Sequence, residues 1–224
     1  MRRASASRVA AAGLLAGFLA GCSGTSHGTR QSSPTTASPA APSSAPATAA
    51  GTCAGTAQQA GAAGKADVNT PGDIPDTQAW VPFSPTSGAW RLKVPEGWAR
   101  RDEGAGVNFT DRLNTIRVEV VTASAPPTPA SAQAGEVPAI AAQAPCFRPG
   151  AVETVSRTAG PAVRITYKAD AAPDPVTGKV VHDDVERYEF WRTGSEAVIT
   201  LSSPQGSDNV DPWRVVTDSF SWTR

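Results

Sequence analysis

The chain has 224 residues, with 20 Lys and Arg against 20 Asp and Glu, so its formal net charge is zero and no nucleic-acid partner is indicated. Its 3 cysteines include no zinc-type pair, and 2 histidines leave few groups for a metal ion or a catalytic base. No internal repeat is present, which favours one globular domain in the part of the chain that can fold.

The beginning of the chain has the layout of an export signal. Three arginines lie among the first eight residues, and an uncharged apolar run follows from Val9 to Ala20. That run is about a dozen residues long, whereas a transmembrane helix needs ~20. The segment Leu19-Ala20-Gly21-Cys22 at its end resembles the bacterial lipobox. This resemblance implies that residues 1–21 are a signal peptide and that Cys22 carries a lipid.

A lipid on Cys22 would place the protein on the extracytoplasmic face of the cell membrane. Two or three acyl chains, such as palmitate, would hold it there durably, because each buried methylene contributes ~0.8 kcal/mol. The membrane is therefore the first predicted partner. A transmembrane helix and an unmodified Cys22 are the alternative interpretations.

Residues 22–70 are predicted to form a tether. The segment consists almost entirely of Ser, Thr, Pro, Ala and Gly, and no charged side chain lies between Arg30 and Lys65. Such a composition cannot bury enough apolar area to offset its conformational entropy, so we expect disorder. The segment is either a plain spacer or a stretch that accepts O-linked sugar.

The two remaining cysteines, Cys53 and Cys146, form the only pair left if Cys22 is lipidated. Thiols outside the cytoplasmic membrane tend to be oxidised, which favours a Cys53–Cys146 disulfide that ties the tether to the domain. Two unpaired cysteines are the alternative.

Residues 71–224 show the alternation of apolar and polar side chains that is typical of half-buried strands. Ile116, Val118 and Val120 share one face, for example, while Arg117 and Glu119 share the other. The predicted strands are residues 90–94, 107–110, 116–120, 152–157, 162–168, 180–192 and 197–201.

Few helices are predicted beside these strands. Helix formers at residues 139–144 indicate a short helix after Pro138. A final helix is expected with Asp211 as its N-cap and Pro212 as its first residue. Trp213, Val216 and Phe220 would pack on the sheet from this helix. The pattern predicts an α+β sandwich with an antiparallel sheet flanked by a few helices.

In this region the sequence resembles the PsbP/Mog1-like sandwich domains, especially those of actinobacterial lipoproteins. The residues that carry the resemblance are Leu92-Lys-Val-Pro-Glu-Gly-Trp98, Val107-Asn-Phe-Thr-Asp111, Asn114-Thr-Ile-Arg-Val118 and the segment from Trp213 to Trp222. The resemblance implies the sandwich fold and a non-enzymatic accessory role.

Candidate sites are sparse. His182-Asp183-Asp184 could supply metal ligands, but side chains of consecutive strand residues alternate between faces, which favours an ordinary polar strand start. Asp170 and Asp174 could join Asp183 on calcium, but the sequence has no twelve-residue calcium loop. No metal and no cofactor is therefore predicted.

The sequence has no G-x-S-x-G motif and no phosphate-cradling glycine loop, so an enzyme such as a hydrolase is the least supported hypothesis. Trp80 and Trp191 are candidates for lining a ligand groove, although packing in the core or at its rim is the more ordinary role of a tryptophan. The leading hypothesis is a lipid-anchored binding or assembly module that acts with a membrane complex. The alternative is a small-ligand carrier with a pocket in the sandwich.

Overall fold

The structure, a computed structural model, describes Cys53 and residues 70–111 and 113–223. The predicted signal peptide, the predicted lipidation site Cys22 and nearly all of the predicted tether lie outside these residues. Among the residues described, no helix combines the length and the apolar character needed to cross a membrane.

Two antiparallel sheets make up the described part of the fold. The large sheet has seven strands in the order β3-β4-β5-β9-β8-β7-β6, and the small sheet has three in the order β1-β2-β10. The strands are β1 (Trp80–Phe83), β2 (Trp90–Pro95), β3 (Ala99–Glu103), β4 (Gly106–Thr110), β5 (Thr115–Ala123), β6 (Arg148–Arg157), β7 (Gly160–Asp170), β8 (His182–Arg192), β9 (Gly194–Pro204) and β10 (Ser221–Trp222). The helices are α1 (Pro129–Ala134), α2 (Glu136–Gln143) and α3 (Val210–Ser219). The predicted α+β architecture is confirmed.

The main core lies between one face of the large sheet and a layer formed by the small sheet and α3. Strand alternation puts the apolar side chains of both sheets on these inner faces. Ile116, Ile199 and Leu201 from the large sheet are fully buried there, and Trp90 and Phe220 pack from the covering layer. Each such side chain contributes about 1.5–3 kcal/mol by its burial, which makes this layer the main source of stability.

A second, smaller core lies on the other face of the large sheet under α1 and α2. Val163 and Ile165 of β7 meet Ala132 and Val137 of these helices. The first helix begins with a capping box, in which the Thr128 side chain accepts a hydrogen bond from the Ser131 backbone N–H.

The predicted boundary of the second helix was wrong. The helix begins at Glu136 and includes Pro138, which was expected to precede it. A proline is tolerated in the first turn because its missing N–H would have no partner within the helix anyway.

Two strand predictions also need correction. β3 was not predicted, because Ala99–Glu103 carries no apolar alternation and is mostly exposed. β6 begins at Arg148, before the predicted start at residue 152, and runs through Pro149 and Gly150. β6 is an edge strand with a register shift between Pro149 and Val152, and these are the positions at which a sheet accepts proline.

The start of α3 differs from the prediction as well. Asn209 is the N-cap, so that Asp211 and Pro212 lie within the first turn. The face predicted for this helix is confirmed, since Trp213, Val216 and the following Phe220 are all buried.

The structure joins Cys53 to Cys146 by a disulfide, the pairing expected from the sequence, across a separation of 93 residues. Cys146 lies just before β6. The bridge therefore fixes Cys53 beside the edge of the large sheet.

Candidate functional site

A cleft of about 550 Å³ lies where the polar end of the large sheet meets the start of α3. Its walls come from the first residues of β6, from β7, β8 and β9, and from the segment that leads into α3. The lining residues are Arg148, Pro149, Gly150, Thr166, Tyr167, Lys168, Asp184, Val185, Glu186, Ser203, Ser207, Asn209, Val210 and Trp213.

The cleft arises from a change of polarity along one face of β8. Phe190 and Tyr188 are buried in the main core, whereas Glu186 and Asp184, further along the same face, are only partly buried. The face that is core at one end of the strand therefore becomes the wall of the cleft at the other.

Four polar residues form a row across this wall. The Cα partners in successive strands are Arg148 with Lys168, Lys168 with Asp184, and Asp184 with Ser203. We call them the polar row. Neighbouring strands lie ~4.8 Å apart, so the row places two cations, one carboxylate and one hydroxyl side by side.

The members of the polar row differ in how they are paired. Lys168 Nζ lies 2.8 Å from Asp184 Oδ1, and both side chains are nearly half-exposed. Arg148 is exposed, and no carboxylate of the described residues comes within the 4.0 Å that defines an ion pair. The row thus contains one exposed ion pair and one cation that is available to a ligand.

Ser203 is a buried polar residue at the end of the row, with 3% of its surface exposed. Within the part of the chain that the structure describes, its hydroxyl makes no hydrogen bond, yet the residue lines the cleft. The hydroxyl is therefore open to the cleft, where it can bond a ligand or water.

A hydrogen-bond chain fixes Glu186 behind the row. The Tyr188 hydroxyl donates to Glu186 Oε2 over 2.5 Å, and Arg157 Nη2 donates to the Tyr188 hydroxyl over 3.0 Å. Burial raises the pKa of Tyr188, and its hydrogen bond to Glu186 acts in the same direction. Glu186 is therefore held as an oriented acceptor beside Asp184.

The opposite wall is fixed by Asn209. Its Oδ1 accepts from the Ile74 N–H over 2.8 Å, and its Nδ2 donates to Gly72 O over 2.8 Å and to Asn114 Oδ1 over 3.1 Å. These bonds tie the start of α3 to two distant segments, so this wall is held rigidly.

Gly150 allows the edge strand to close in on β7. A Cβ atom at this position would lie 2.4 Å from Thr166 Oγ1 and 2.6 Å from Thr166 O. Only glycine fits there without a shift, so the approach that shapes this side of the cleft depends on it.

The residues singled out from the sequence lie mostly elsewhere. Trp80 is partly buried against the main core. Trp191 donates from Nε1 to Ala123 O over 3.4 Å and lines a separate cavity of about 130 Å³ with Glu189. Neither tryptophan lines the cleft. Their role as ligand-binding residues stays a prediction.

The His182-Asp183-Asp184 segment is divided between different environments. His182 Nδ1 lies 2.5 Å from Asp170 Oδ1, and Asp184 belongs to the polar row. Asp183 is buried on the other face, and its Oδ1 has no hydrogen-bond partner among the residues described. Burial raises the pKa of Asp183 to about 6, with smaller contributions from Asp184 and Asp170.

No group of three His, Cys, Asp or Glu side chains within Cys53, residues 70–111 and residues 113–223 is arranged to hold a metal ion. In the same residues, the hydrogen-bond contact of the His182 side chain is Asp170, not a serine or a cysteine. The cleft presents charged and hydroxyl groups that can bind the polar groups of a ligand.

Sequence reasoning missed the cleft because its wall depends on register. One signal was present: Asp184 and Glu186 share a face with Tyr188 and Phe190, so a face that begins acidic becomes apolar along the chain. The partners of these residues on β6 and β9 follow only from the strand pairing.

No protein-family model matches the chain, and no curated protein matches it. Solved structures similar to it include cyanobacterial PsbP from Synechocystis, with a TM-score of 0.48 and 16% identity over 68% of this chain and 98% of that one. The Ran-binding protein Mog1p from Saccharomyces cerevisiae has a TM-score of 0.45 and 12% identity over 64% of this chain and 95% of that one.

A structure from Bacteroides thetaiotaomicron is also similar, with a TM-score of 0.45 and 9% identity over 64% of this chain, which spans 48% of the other. PsbP and Mog1, the two proteins that the sequence resemblance names, are thus among the similar structures. With TM-scores below 0.5, these likenesses carry no argument about function. The α+β fold rests on the strand order and the two cores described above.

Proposed function

We propose that this chain is a lipid-anchored, non-enzymatic binding protein on the extracytoplasmic face of the cell membrane, and that the cleft binds a small ligand. The observation that carries the proposal is the cleft itself. Its volume of about 550 Å³ lies within the range of small-molecule sites, and oriented polar groups converge on it.

The location is supported by two independent features. The lipobox at Cys22 predicts the anchor, and a disulfide between Cys53 and Cys146 suits an oxidising compartment. Neither feature depends on the cleft.

The cleft favours a small ligand over the docking of a membrane complex, the hypothesis that led on sequence grounds. It is concave, it has charged and hydroxyl groups on one wall, and its other wall presents Trp213 and Val210. This combination of apolar surface and a few convergent polar groups is typical of ligand pockets.

Blocking the cleft tests the binding site. Val210 is 71% exposed at the mouth of the cleft, so Val210→Trp should fill the mouth and leave the core intact. Val121→Trp adds the same side chain at an exposed position of β5, away from the cleft. A thermal-shift screen of small polar metabolites should give ligands for the wild type and the Val121 variant that the Val210 variant loses. Ligands that bind all three proteins equally would place binding elsewhere.

Membrane fractionation tests the anchor. Cys22→Ser should move the protein from the membrane fraction to the soluble fraction, because the thioether that carries the lipid cannot form. Retention of this variant after a carbonate wash would contradict lipid anchoring without affecting the cleft.

A further inference from the structure

We propose that the cleft binds a short peptide with free termini, placing its carboxylate between Arg148 and Lys168 and its ammonium group at Asp184 and Glu186. This inference rests on the proposed function in one respect, namely that the cleft is the binding site. It adds the chemical class of the ligand.

The first argument is the placement of like charges. Arg148 and Lys168 are direct Cα partners on β6 and β7, and like charges that face each other across strands destabilise a sheet. Asp184 forms an ion pair with Lys168 but not with Arg148, because Lys168 lies between the two in the row. A ligand carboxylate between the two cations would remove the remaining repulsion. The Arg148 guanidinium can hold such a carboxylate through two parallel hydrogen bonds.

The second argument is the acidic side of the same wall. Asp184 and Glu186 follow one another on one face of β8, and the Tyr188 hydroxyl fixes Glu186 as an acceptor. Asp184 Oδ1 is paired with Lys168, and Glu186 Oε2 lies 3.9 Å from Arg164 Nη1. The second oxygen of each carboxylate has no hydrogen-bond partner among the described residues and can accept from an ammonium group, and the Ser203 hydroxyl beside them can bond an amide. The wall therefore selects a ligand that carries both signs of charge.

The third argument is the distance between the two ends. Strand spacing puts β8 about 7 Å from the midpoint between β6 and β7. An extended residue spans ~3.3 Å, so a dipeptide or a tripeptide separates its charged termini by a matching length. The apolar wall of Val210 and Trp213 would then contact the peptide side chains.

Calorimetric titration of the full chain, in detergent and at low ionic strength, tests the inference. The probes are trialanine, C-amidated trialanine and N-acetylated trialanine. Trialanine should bind, and each cap should weaken binding about tenfold or more, the usual effect of losing a hydrogen bond to a charged group. If the capped and uncapped peptides bind equally, the inference is wrong.

Two variants assign each end of the peptide. In Arg148→Gln the C-terminal amide should weaken binding less than in the wild type, and in Asp184→Asn the N-acetyl group should do so, because each change removes one of the two protein groups at that end of the peptide. Arg101→Gln, at an exposed position of β3 outside the cleft, is the matched control and should bind like the wild type. Loss of binding in the control to the same extent as in Arg148→Gln would refute the assignment.

The outcomes separate this inference from the proposed function. If no peptide binds but the screen finds ligands that Val210→Trp excludes, the cleft is a binding site and the peptide assignment fails. If neither peptides nor screened ligands depend on Val210, both proposals fail.

Discussion

Replacing Asp183 by asparagine should stabilise the protein at neutral pH. Asp183 is 8% exposed, and its Oδ1 has no hydrogen-bond partner among the residues described. An ionised carboxylate in such a place loses most of its hydration without a counter-charge at that oxygen. Asparagine has nearly the same shape and no charge, so the change removes the penalty with little effect on packing.

The size of the effect follows from the pKa of the group. Burial raises the pKa of Asp183 from 3.8 to about 6, and each unit corresponds to 1.36 kcal/mol, so ionisation costs roughly 3 kcal/mol in the folded state. The folded state binds the proton more tightly than the unfolded state. The penalty is therefore absent below about pH 4, grows between pH 4 and pH 6, and is constant above that.

Equilibrium unfolding in urea at pH 4, 5, 6 and 8 measures this profile. The free energy of unfolding of Asp183→Asn should match the wild type at pH 4 and exceed it by up to about 3 kcal/mol at pH 8. Asp184→Asn is the control, because that neighbour is nearly half-exposed and its ion pair with Lys168 is worth ~1 kcal/mol or less. An equal gain at pH 4 and pH 8, or a loss at pH 8, would refute the reasoning.

Three further predictions concern other parts of the described fold. Cys146→Ser removes the bridge to Cys53 and should lower the free energy of unfolding by about 4 kcal/mol, on a chain-entropy estimate. Urea unfolding with and without reductant measures the change, and equal stability of the variant and the oxidised wild type would contradict it. Asn209→Ala leaves the buried Ile74 N–H without its acceptor and should cost about 2–3 kcal/mol, while a melting temperature unchanged from the wild type would show that water replaces the amide. Burial raises the pKa of Glu196 from 4.5 to about 7, so Glu196→Gln should stabilise the protein above about pH 7 and not at pH 4. Thermal melts across this pH range measure the difference in stability, and a gain that does not depend on pH would contradict the prediction.

The strands of the main core could be predicted because their side chains alternate. Ile116 and Val118 fall on one face and Arg117 on the other, and the structure buries the two apolar residues completely. The disulfide could be predicted because a lipid on Cys22, which the resemblance to a lipobox implies, leaves Cys53 and Cys146 as the one pair among three cysteines. These inferences need only local patterns or counting, which a single sequence supplies.

β3 could not be predicted, because its residues carry no signal of their own. Ala99–Glu103 is a strand because β4 pairs with it along its whole length, from Ala99 with Thr110 to Glu103 with Gly106. The start of α3 was misjudged for a similar reason. Asn209 is drawn to the N-cap by its partners at Ile74 and Asn114, which are far away in the sequence. Tertiary pairing decides both cases.

The cleft could not be predicted because it depends on four strands being in register. Arg148, Lys168, Asp184 and Ser203 are unremarkable in the sequence, and the first lies next to residues that favour a break in the chain. Gly150 and the irregular pairing beside it set which residue of β6 faces Lys168. A change of one position in that register would turn Arg148 to the other face of the sheet.

The unequal size of the two sheets explains why a cleft exists at this place. The three-stranded sheet and α3 cover the apolar middle of the seven-stranded sheet, but three strands cannot reach across seven. The uncovered end faces water and must therefore be polar. A surface whose only role is to contact water would be most stable with opposite charges on neighbouring strands. This surface instead places Arg148 directly opposite Lys168, and the Ser203 hydroxyl in the same row has no hydrogen-bond partner among the described residues. The facing cations cost stability that a ligand carboxylate between them would restore, and the hydroxyl is a further group that a ligand can bond, which is why we propose binding at this end of the sandwich.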